Sequence, residues 1–416
     1  MASVPASIKT CLLAFALLLC AAAPSSAASF SMKRGINLDI WTTWPDEERW
    51  GEEDVLLPFP EWRQSLKESD LQALREAGFD FVRIPVDPSP FLSEKTTGSR
   101  DKLFASVLES VRMVNGAGLK AVVDMHLFLA GGNRSIGMAE VMDDAGMFDR
   151  YVDVVRLMGE TLSGEDSSLV AFELMNEPVI DCDEDGTNLW PERLRRLYTA
   201  ARSAAARLTL VLSGACYSGA EALARIDPTE FPDENLIWTF HSYAPFLLTT
   251  QGATWAGDFI RYVTGLPYPP HAVPRAELDA ALEAIRQKIR SEAPWGRRNA
   301  MLAYLDEQIA TMDTKEELEA LLDEPFEIVD AWARKYGVAP QNIFLGEFGM
   351  IRQEYGNPYI VPAAARAAYA RDVIRRAESR GYAWAIWSYG GAFGIVEEFE
   401  GRKAEPGVME MIRSLR

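Results

Sequence analysis

Two glutamates in this sequence stand where a carboxyl group could do chemistry. Glu177 lies in an Asn-Glu-Pro motif after one short apolar run, and Glu347 lies in Gly-Glu-Phe-Gly after another. Hydrolysis of a glycosidic bond needs one carboxylic acid to protonate the leaving oxygen and a second carboxylate to meet the developing oxocarbenium ion. The two residues are 170 positions apart, so they can form such a pair only if the fold brings the two runs together.

Other polar and aromatic residues also stand at the ends of short apolar runs. They are Arg83, His126, Asn176, His241, Tyr243 and Trp387. Taken singly, each has a structural explanation, because an arginine can pair with a neighbouring carboxylate and a histidine or tryptophan can belong to the core. Together they favour a functional site, since two of only three histidines stand at such ends.

The elements that must position these residues are visible as an alternation of patterns. Short β-branched runs alternate with segments of helical periodicity, which predicts strands joined by helices. We place strands at 35–39, 81–86, 121–126, 170–176, 208–213, 236–241, 343–347 and 383–388. We place helices at 62–77, 103–117, 140–162, 191–207 and 364–379. Crossovers through helices make the strands parallel, and eight repeats favour an α/β fold of the (β/α)8 TIM barrel type.

All strands of such a barrel end at the same rim, where active sites are assembled. We therefore expect the residues named above to meet there. Asp124 and Glu173 lie on the same strands but short of their ends, so we expect them to point into the barrel or to their neighbours. The connection at 243–342 is long, with an aromatic loop at 246–268 and helices at 276–289 and 315–336. An insertion of that length usually builds a binding surface.

The ordered set of rim residues resembles family 5 of the glycoside hydrolases, in which the acid/base and the nucleophile lie on strands four and seven. The resemblance extends from Arg-Gly-Ile-Asn at 34–37 to Trp-Ala-Ile-Trp at 384–387. It implies a cellulase-like enzyme that retains anomeric configuration through a glycosyl-enzyme intermediate. Glu177 would be the acid/base and Glu347 the nucleophile, with no cofactor and no metal.

The resemblance also implies roles for the remaining rim residues as substrate-binding or supporting groups. Arg83 and Tyr243 would hold Glu347 ionised, and His241 would lie beside Glu177. The groups that contact the sugar would be Asn176 at the 2-hydroxyl, His126 at another hydroxyl and Trp387 beneath the ring.

Charge and the first residues indicate the partner and the compartment. The 416 residues include 42 Lys and Arg against 61 Asp and Glu, a formal net charge of −19. Such a surface repels nucleic acid and anionic membranes, and a neutral polysaccharide fits it, although solubility alone also explains it. Lys9, an apolar run at 11–23 and small residues at 24–28 predict a secretory signal peptide over 1–28. We expect a single catalytic domain at 29–416, monomeric and secreted to the periplasm or the exterior.

Two cysteines remain once Cys11 and Cys20 leave with the signal peptide. Cys182 and Cys216 follow neighbouring strands, so a disulfide between them is a hypothesis for an oxidising compartment. The acidic stretch at 181–186 could supply calcium ligands, but a solvated acidic loop is the favoured interpretation.

Candidate platforms for an extended sugar chain are the tryptophans near the rim. They are Trp41, Trp44, Trp190 and Trp255, each of which could equally pack in the core. The stretches at 243–246 and 251–255 resemble those of bacterial endoglucanase-like members of the family, and this resemblance favours β-glucan over β-mannan as substrate. The alternatives are an endo-β-mannanase, an enzyme that trims an exopolysaccharide, and a carbohydrate-binding barrel without activity. The presence of both glutamates speaks against the last.

Overall fold

The fold is a closed barrel of eight parallel strands. The computed structural model describes residues 30–39, 44–52, 66–128, 134–183 and 188–415. The strands are β1 Arg34–Asn37, β2 Phe81–Val86, β3 Lys120–Met125, β4 Val170–Glu173, β5 Thr209–Ser213, β6 Leu236–His241, β7 Ile343–Phe348 and β8 Ala383–Ile386. Each strand pairs with its neighbour in chain order, and β1 also pairs with β8. The predicted (β/α)8 barrel is confirmed.

Helices cover the outside of the barrel. In the described residues they are α1 Glu68–Ala77, α2 Ser89–Leu92, α3 Arg100–Gly116, α4 Met138–Asp143, α5 Ala145–Leu162, α6 Trp190–Ala204, α7 Ala220–Ala224, α8 Phe246–Thr249, α9 Arg275–Glu292, α10 Arg298–Ala310, α11 Lys315–Tyr336, α12 Ala363–Arg380 and α13 Gly407–Arg413. The strands are buried at almost every position because helices cover one face and the barrel interior the other. The apolar runs of the sequence follow from this double burial.

Some boundaries differ from the sequence-based expectation. The helix predicted at 140–162 is two helices, because the Asp144 side chain accepts a hydrogen bond from the Met147 amide and starts α5 anew. Strands β3, β4 and β8 end before His126, Asn176 and Trp387. These three residues therefore lie just beyond the strands, on the rim itself.

Apolar side chains fill the end of the barrel opposite this rim. They form one buried cluster of Phe30, Met32, Phe81, Val122, Ala171, Val211, Ile237, Phe344, Ala383 and Ala385. A second, larger core lies between the strands and the helices. Polar groups inside the barrel are therefore concentrated toward the carboxyl ends of the strands.

The connection between β6 and β7 is largely helical, as predicted. It contains α9 and α11 near their expected bounds, with α10 between them. The apolar stripe of α9, at Leu278, Leu282, Ile285 and Ile289, is buried. In the described part of the chain, none of the helices has the length and apolar character that a bilayer crossing requires. The expected signal peptide lies outside the described residues.

Candidate active site

Arg83 is the centre of the polar network inside the barrel. It lies on β2 with its side chain fully buried, and its guanidinium forms a bidentate pair with Glu173 at 2.7 and 2.9 Å. It also contacts Asp124 at 2.9 Å and Glu347 at 2.8 Å, and donates to the Asn176 amide oxygen at 2.8 Å. Asp124 and Glu173 thus point inward to a neighbour, as expected. The planar fork of an arginine suits it to hold several carboxylates in fixed directions.

Glu347 near the end of β7 is held by two donors. Arg83 donates to its Oε1 at 2.8 Å, and the Tyr243 hydroxyl donates to its Oε2 at 2.9 Å. Burial is the largest effect on Glu347 and raises its pKa. The Glu177 carboxylate also raises this pKa, whereas the His241 ring and Arg83 lower it. Because both of its oxygens accept hydrogen bonds from fixed donors, Glu347 is the member of the pair that is stabilised as an anion.

Glu177 lies just beyond β4 and is the more accessible of the two glutamates, with its side chain 27% exposed. Its Oε1 lies 2.8 Å from Nδ1 of His241. Burial raises the pKa of Glu177 to about 7, with a smaller contribution from Glu173, while His126 and Arg83 oppose the rise. A carboxyl group with this pKa is about half protonated at neutral pH, so it can donate a proton to a leaving oxygen.

The pH dependence of activity should follow from this protonation. The acid form of Glu177 predominates below pH 7 and is lost as pH rises through its raised pKa of about 7. We therefore expect kcat/KM on a polysaccharide to fall above about pH 7 with a slope of about one proton. Rates measured from about pH 4 to about pH 9 test this. An alkaline limb retained with the same midpoint in Glu177→Gln would assign the titration to another group.

His241 is a neutral imidazole at the end of β6. Burial lowers its pKa to about 4, although Glu347 opposes the shift. Its Nδ1 faces Glu177, whereas its Nε2 lies in the barrel close to the Cα of Gly346. The backbone amide of His241 donates to the carbonyl of Ser218 at 2.8 Å. The ring is thus fixed beside the carboxyl group whose proton it can share.

Gly346 provides the space that the His241 ring occupies. A Cβ atom at this position would lie 2.6 Å from the Thr239 hydroxyl and 2.8 Å from His241 Nε2. We expect Gly346→Ala to push the ring toward Glu177 and to lower kcat/KM by about 10- to 100-fold, since displacements near 1 Å have costs of this size. Gly296→Ala is the matched control, because no atom lies within 4 Å of a Cβ there. Equal rates for the two variants would contradict the steric role of Gly346.

The remaining predicted residues line the same rim. His126 contacts Asp124 at 2.8 Å through Nδ1 and lies 3.2 Å from the Asn176 amide nitrogen through Nε2. The His126 ring stacks on Trp387, with the ring centres 5.5 Å apart and the planes at 19°. Trp387 is partly exposed, and so it presents an aromatic surface beside the carboxyl pair. The structure thus brings all eight predicted residues into one site.

Two of the four tryptophans that were candidate platforms for a sugar chain belong to the core. Trp44 and Trp190 are 5% and 1% exposed, and each indole N–H donates to a backbone carbonyl, so both are core residues. Trp255 is 58% exposed and packs near Phe393, which in turn contacts Tyr243 edge-on. Only Trp255 retains the platform interpretation, because Trp41 lies outside the described residues.

The disulfide hypothesis is confirmed. Cys182 and Cys216 are bonded, with their Cα atoms 4.8 Å apart. The bond joins the loop after β4, in which Glu177 lies, to the loop after β5. Asp181, in the acidic stretch at 181–186, accepts a hydrogen bond from the Trp190 amide through Oδ2, and positions 184–186 of this stretch lie outside the described residues.

Two features that support the site were not predicted from the sequence. Asn37 accepts a hydrogen bond from Arg83 at 2.9 Å and donates to the Gly346 carbonyl at 3.1 Å, which connects β1 to β7. The sequence feature that could have identified Asn37 was its position in the first predicted strand.

Cys216, Tyr217 and Ser218 all have positive φ, between 45° and 59°. No glycine marks this left-handed turn, so nothing in the sequence pattern indicated it.

A parallel barrel with two carboxyl groups and a supporting arginine at its C-terminal rim is the arrangement expected of a glycoside hydrolase. The family model described as cellulase, glycosyl hydrolase family 5, matches residues 52–393, and the chain belongs to this family.

Individual relatives are distant. Endoglucanase C of Acetivibrio thermocellus is 23% identical over 360 residues, which cover 86% of this chain and 91% of that protein. Among solved structures, the cellulose synthase subunit Z of Clostridioides difficile has a TM-score of 0.63 at 21% identity and covers 92% of this chain and 99% of its own. Cel5A of Thermotoga maritima with mannotriose has a TM-score of 0.61 at 21% identity, with 92% and 98% covered. These structures share the barrel fold with this chain.

Proposed function

We propose that this protein is a retaining β-glycanase that hydrolyses a β-linked glucan by double displacement. One observation carries the proposal: an oxygen of Glu177 and an oxygen of Glu347 lie within 4.8 Å of each other. Retaining glycosidases have carboxyl groups about 5 to 5.5 Å apart, whereas inverting ones need about 6.5 to 9.5 Å to admit a water molecule. This short separation is on the side of the retaining range and supports retention.

In the first displacement, Glu347 attacks the anomeric carbon as a carboxylate. The bond from this carbon to the leaving oxygen breaks, and Glu177 transfers its proton to that oxygen. The aglycone leaves as an alcohol, and the sugar is esterified to Glu347. Arg83 and the Tyr243 hydroxyl orient the attacking carboxylate through the hydrogen bonds at 2.8 and 2.9 Å.

In the second displacement, Glu177 acts as a base. It takes a proton from a water molecule, which attacks the anomeric carbon and breaks the ester bond to Glu347. Both glutamates return to their starting states, and two inversions give net retention. We assign Asn176 to the sugar 2-hydroxyl, since Arg83 holds its amide oxygen and the contact with His126 uses at most one of the two N–H groups of its amide nitrogen.

Glucan is the substrate that we favour. The relative from Acetivibrio thermocellus described above is an endoglucanase. In addition, the partly exposed Trp387 and the exposed Trp255 offer aromatic faces on which glucose rings can stack. The complex of the Thermotoga barrel with mannotriose makes β-mannan the second candidate. The net charge of −19 agrees with an uncharged polysaccharide.

The compartment and the assembly state complete the proposal. We place the enzyme outside the cytoplasm, since the disulfide between Cys182 and Cys216 is typical of oxidising compartments. We treat it as a monomer whose catalytic domain extends over 29–416, after removal of the signal peptide at 1–28.

The test is hydrolysis of a panel of soluble β-glucans and β-mannans, with the anomer that forms first followed by proton NMR. We expect the β-anomer to form first and a β-glucan to be the best substrate. If the α-anomer forms first, the enzyme inverts and the double displacement is wrong. A preference for mannan would replace the substrate and keep the mechanism, and inactivity on every glycan would overturn both.

A further inference from the structure

Three side chains of different chemistry converge at the centre of the rim. They are Glu177, His241 and Glu347, and one ligand atom of each lies within 4.8 Å of the others. His241 Nδ1 is 2.8 Å from Glu177 Oε1 and 3.8 Å from Glu347 Oε2. Donors around a tetrahedral zinc ion, with bonds of about 2.0 to 2.1 Å, stand roughly 3.3 Å apart. The two distances from His241 lie on either side of this value, and the oxygens of Glu177 and Glu347 are at most 4.8 Å apart.

The ligand types also suit a transition metal. One imidazole with two carboxylates is a mixed nitrogen and oxygen set, which zinc and its neighbours accept. His241 is buried with its Nδ1 toward Glu177, and the lone pair of this nitrogen can coordinate a metal ion when the proton between the two side chains is displaced. Each carboxylate oxygen can coordinate and still accept a hydrogen bond, such as the one from Tyr243 to Glu347.

The surrounding charge favours a cation. Besides the two glutamates, the network contains Asp124 and Glu173, and Arg83 is the cation that contacts three of these four carboxylates directly. Asp124 and Glu173, which are not among the three proposed ligands, therefore share the guanidinium of Arg83 with Glu347. A dication between Glu177 and Glu347 would interact favourably with whichever of these carboxyl groups are ionised.

The cluster is also accessible from one side. The Glu177 side chain is 27% exposed, while those of His241 and Glu347 are 2% and 5% exposed. An ion entering from the cleft would keep a fourth position for water, as zinc sites with three protein ligands do. That position is where the scissile sugar must lie.

We propose that Glu177, His241 and Glu347 bind one divalent transition-metal ion of the zinc type, in competition with the glycan. The ion occupies the space of the anomeric carbon and ties up both catalytic carboxylates, so the metal-bound form is inactive. Calcium and magnesium are excluded because they require six or more oxygen ligands or a rigid octahedron. This inference concerns metal binding to the resting protein and does not depend on the identity of the glycan.

The experiment is calorimetric titration of the full chain with zinc chloride, without glycan, in a buffer that does not chelate metals. We expect one site in the wild type and at least about tenfold weaker binding in Glu177→Gln and in His241→Asn, since each removes a ligand. Asp279→Asn is the control for surface carboxylates, because Asp279 is exposed on α9 and pairs with Arg275. The zinc affinity of this variant should be unchanged. Calcium chloride should give no site.

The failure of this inference can be told apart from the failure of the proposed function. Absence of zinc binding at about millimolar metal, or equal affinity in all variants, overturns the site whatever the enzyme hydrolyses. Zinc binding that leaves the hydrolysis rate unchanged overturns the competition with the glycan. Thermal melting of each variant shows that it is folded before the titration is interpreted.

Discussion

Glu347→Ala should reduce hydrolysis of the best polysaccharide by roughly 10⁴- to 10⁶-fold, the range for loss of a covalent nucleophile. In the proposed mechanism, the substitution removes the atom that bonds to the anomeric carbon. Asp124 and Glu173 are completely buried against Arg83 and do not reach the rim. Reducing-sugar release at saturating substrate measures the loss in kcat.

A matched variant separates this chemical effect from the structural one. Glu173→Gln also breaks a pair with Arg83, at 2.7 Å, yet it removes no reacting atom. Both variants should lower the melting temperature, because each leaves part of a buried guanidinium unpaired. We expect kcat to fall far more in Glu347→Ala. Equal losses in the two variants would mean that Glu347 acts only by holding Arg83.

Chemical rescue gives a second readout for the same residue. A small anion such as azide can enter the space left by the Glu347 carboxyl group and attack the anomeric carbon from that face. The product should be an α-glycosyl azide, formed with one inversion. A β-azide from this variant would place the nucleophile elsewhere.

The barrel and the chemistry of its rim could be predicted from sequence because both leave local signals. Strands buried on both faces are continuous apolar runs, and polar residues that interrupt the pattern at strand ends stand out. Arg83 and His241 were found in this way. Their contacts were also anticipated, since Arg83 pairs with Glu347 and His241 lies beside Glu177.

Features that depend on tertiary contacts were not predictable. Trp44 and Trp190 are spaced like rim residues, but their burial depends on backbone carbonyls that lie 43 and 23 positions away in the sequence. The left-handed turn at 216–218 contains no glycine, so its conformation is imposed by its neighbours, including the bonded Cys182. In these two cases the decisive partner is not encoded in the local pattern. The division of one predicted helix into two at Asp144 is different, because its hydrogen bond from the Met147 amide is a local N-cap that the sequence contained.

Glu177→Ala should separate the two displacements by their dependence on the leaving group. On a polysaccharide the departing sugar alkoxide needs the proton of Glu177, so we expect kcat/KM to fall by about 10²- to 10⁴-fold. On an aryl glycoside with a strongly acidic phenol the bond breaks without protonation, and the first displacement should remain fast. The glycosyl-enzyme ester should then accumulate, since no base activates water, and mass spectrometry should detect it as a covalent adduct.

The identity of the residue that is esterified makes this experiment decisive. Azide needs no general base, so it should restore turnover of the aryl glycoside in Glu177→Ala and give a β-glycosyl azide. That product is the opposite anomer to the one expected from Glu347→Ala, and a peptide map should place the adduct on Glu347. Glu177→Gln keeps the shape of the side chain and the contact with His241 but has no proton of the required acidity, so it should behave like the alanine variant. Equal losses on the polysaccharide and the aryl glycoside would contradict the assignment of Glu177 as the acid.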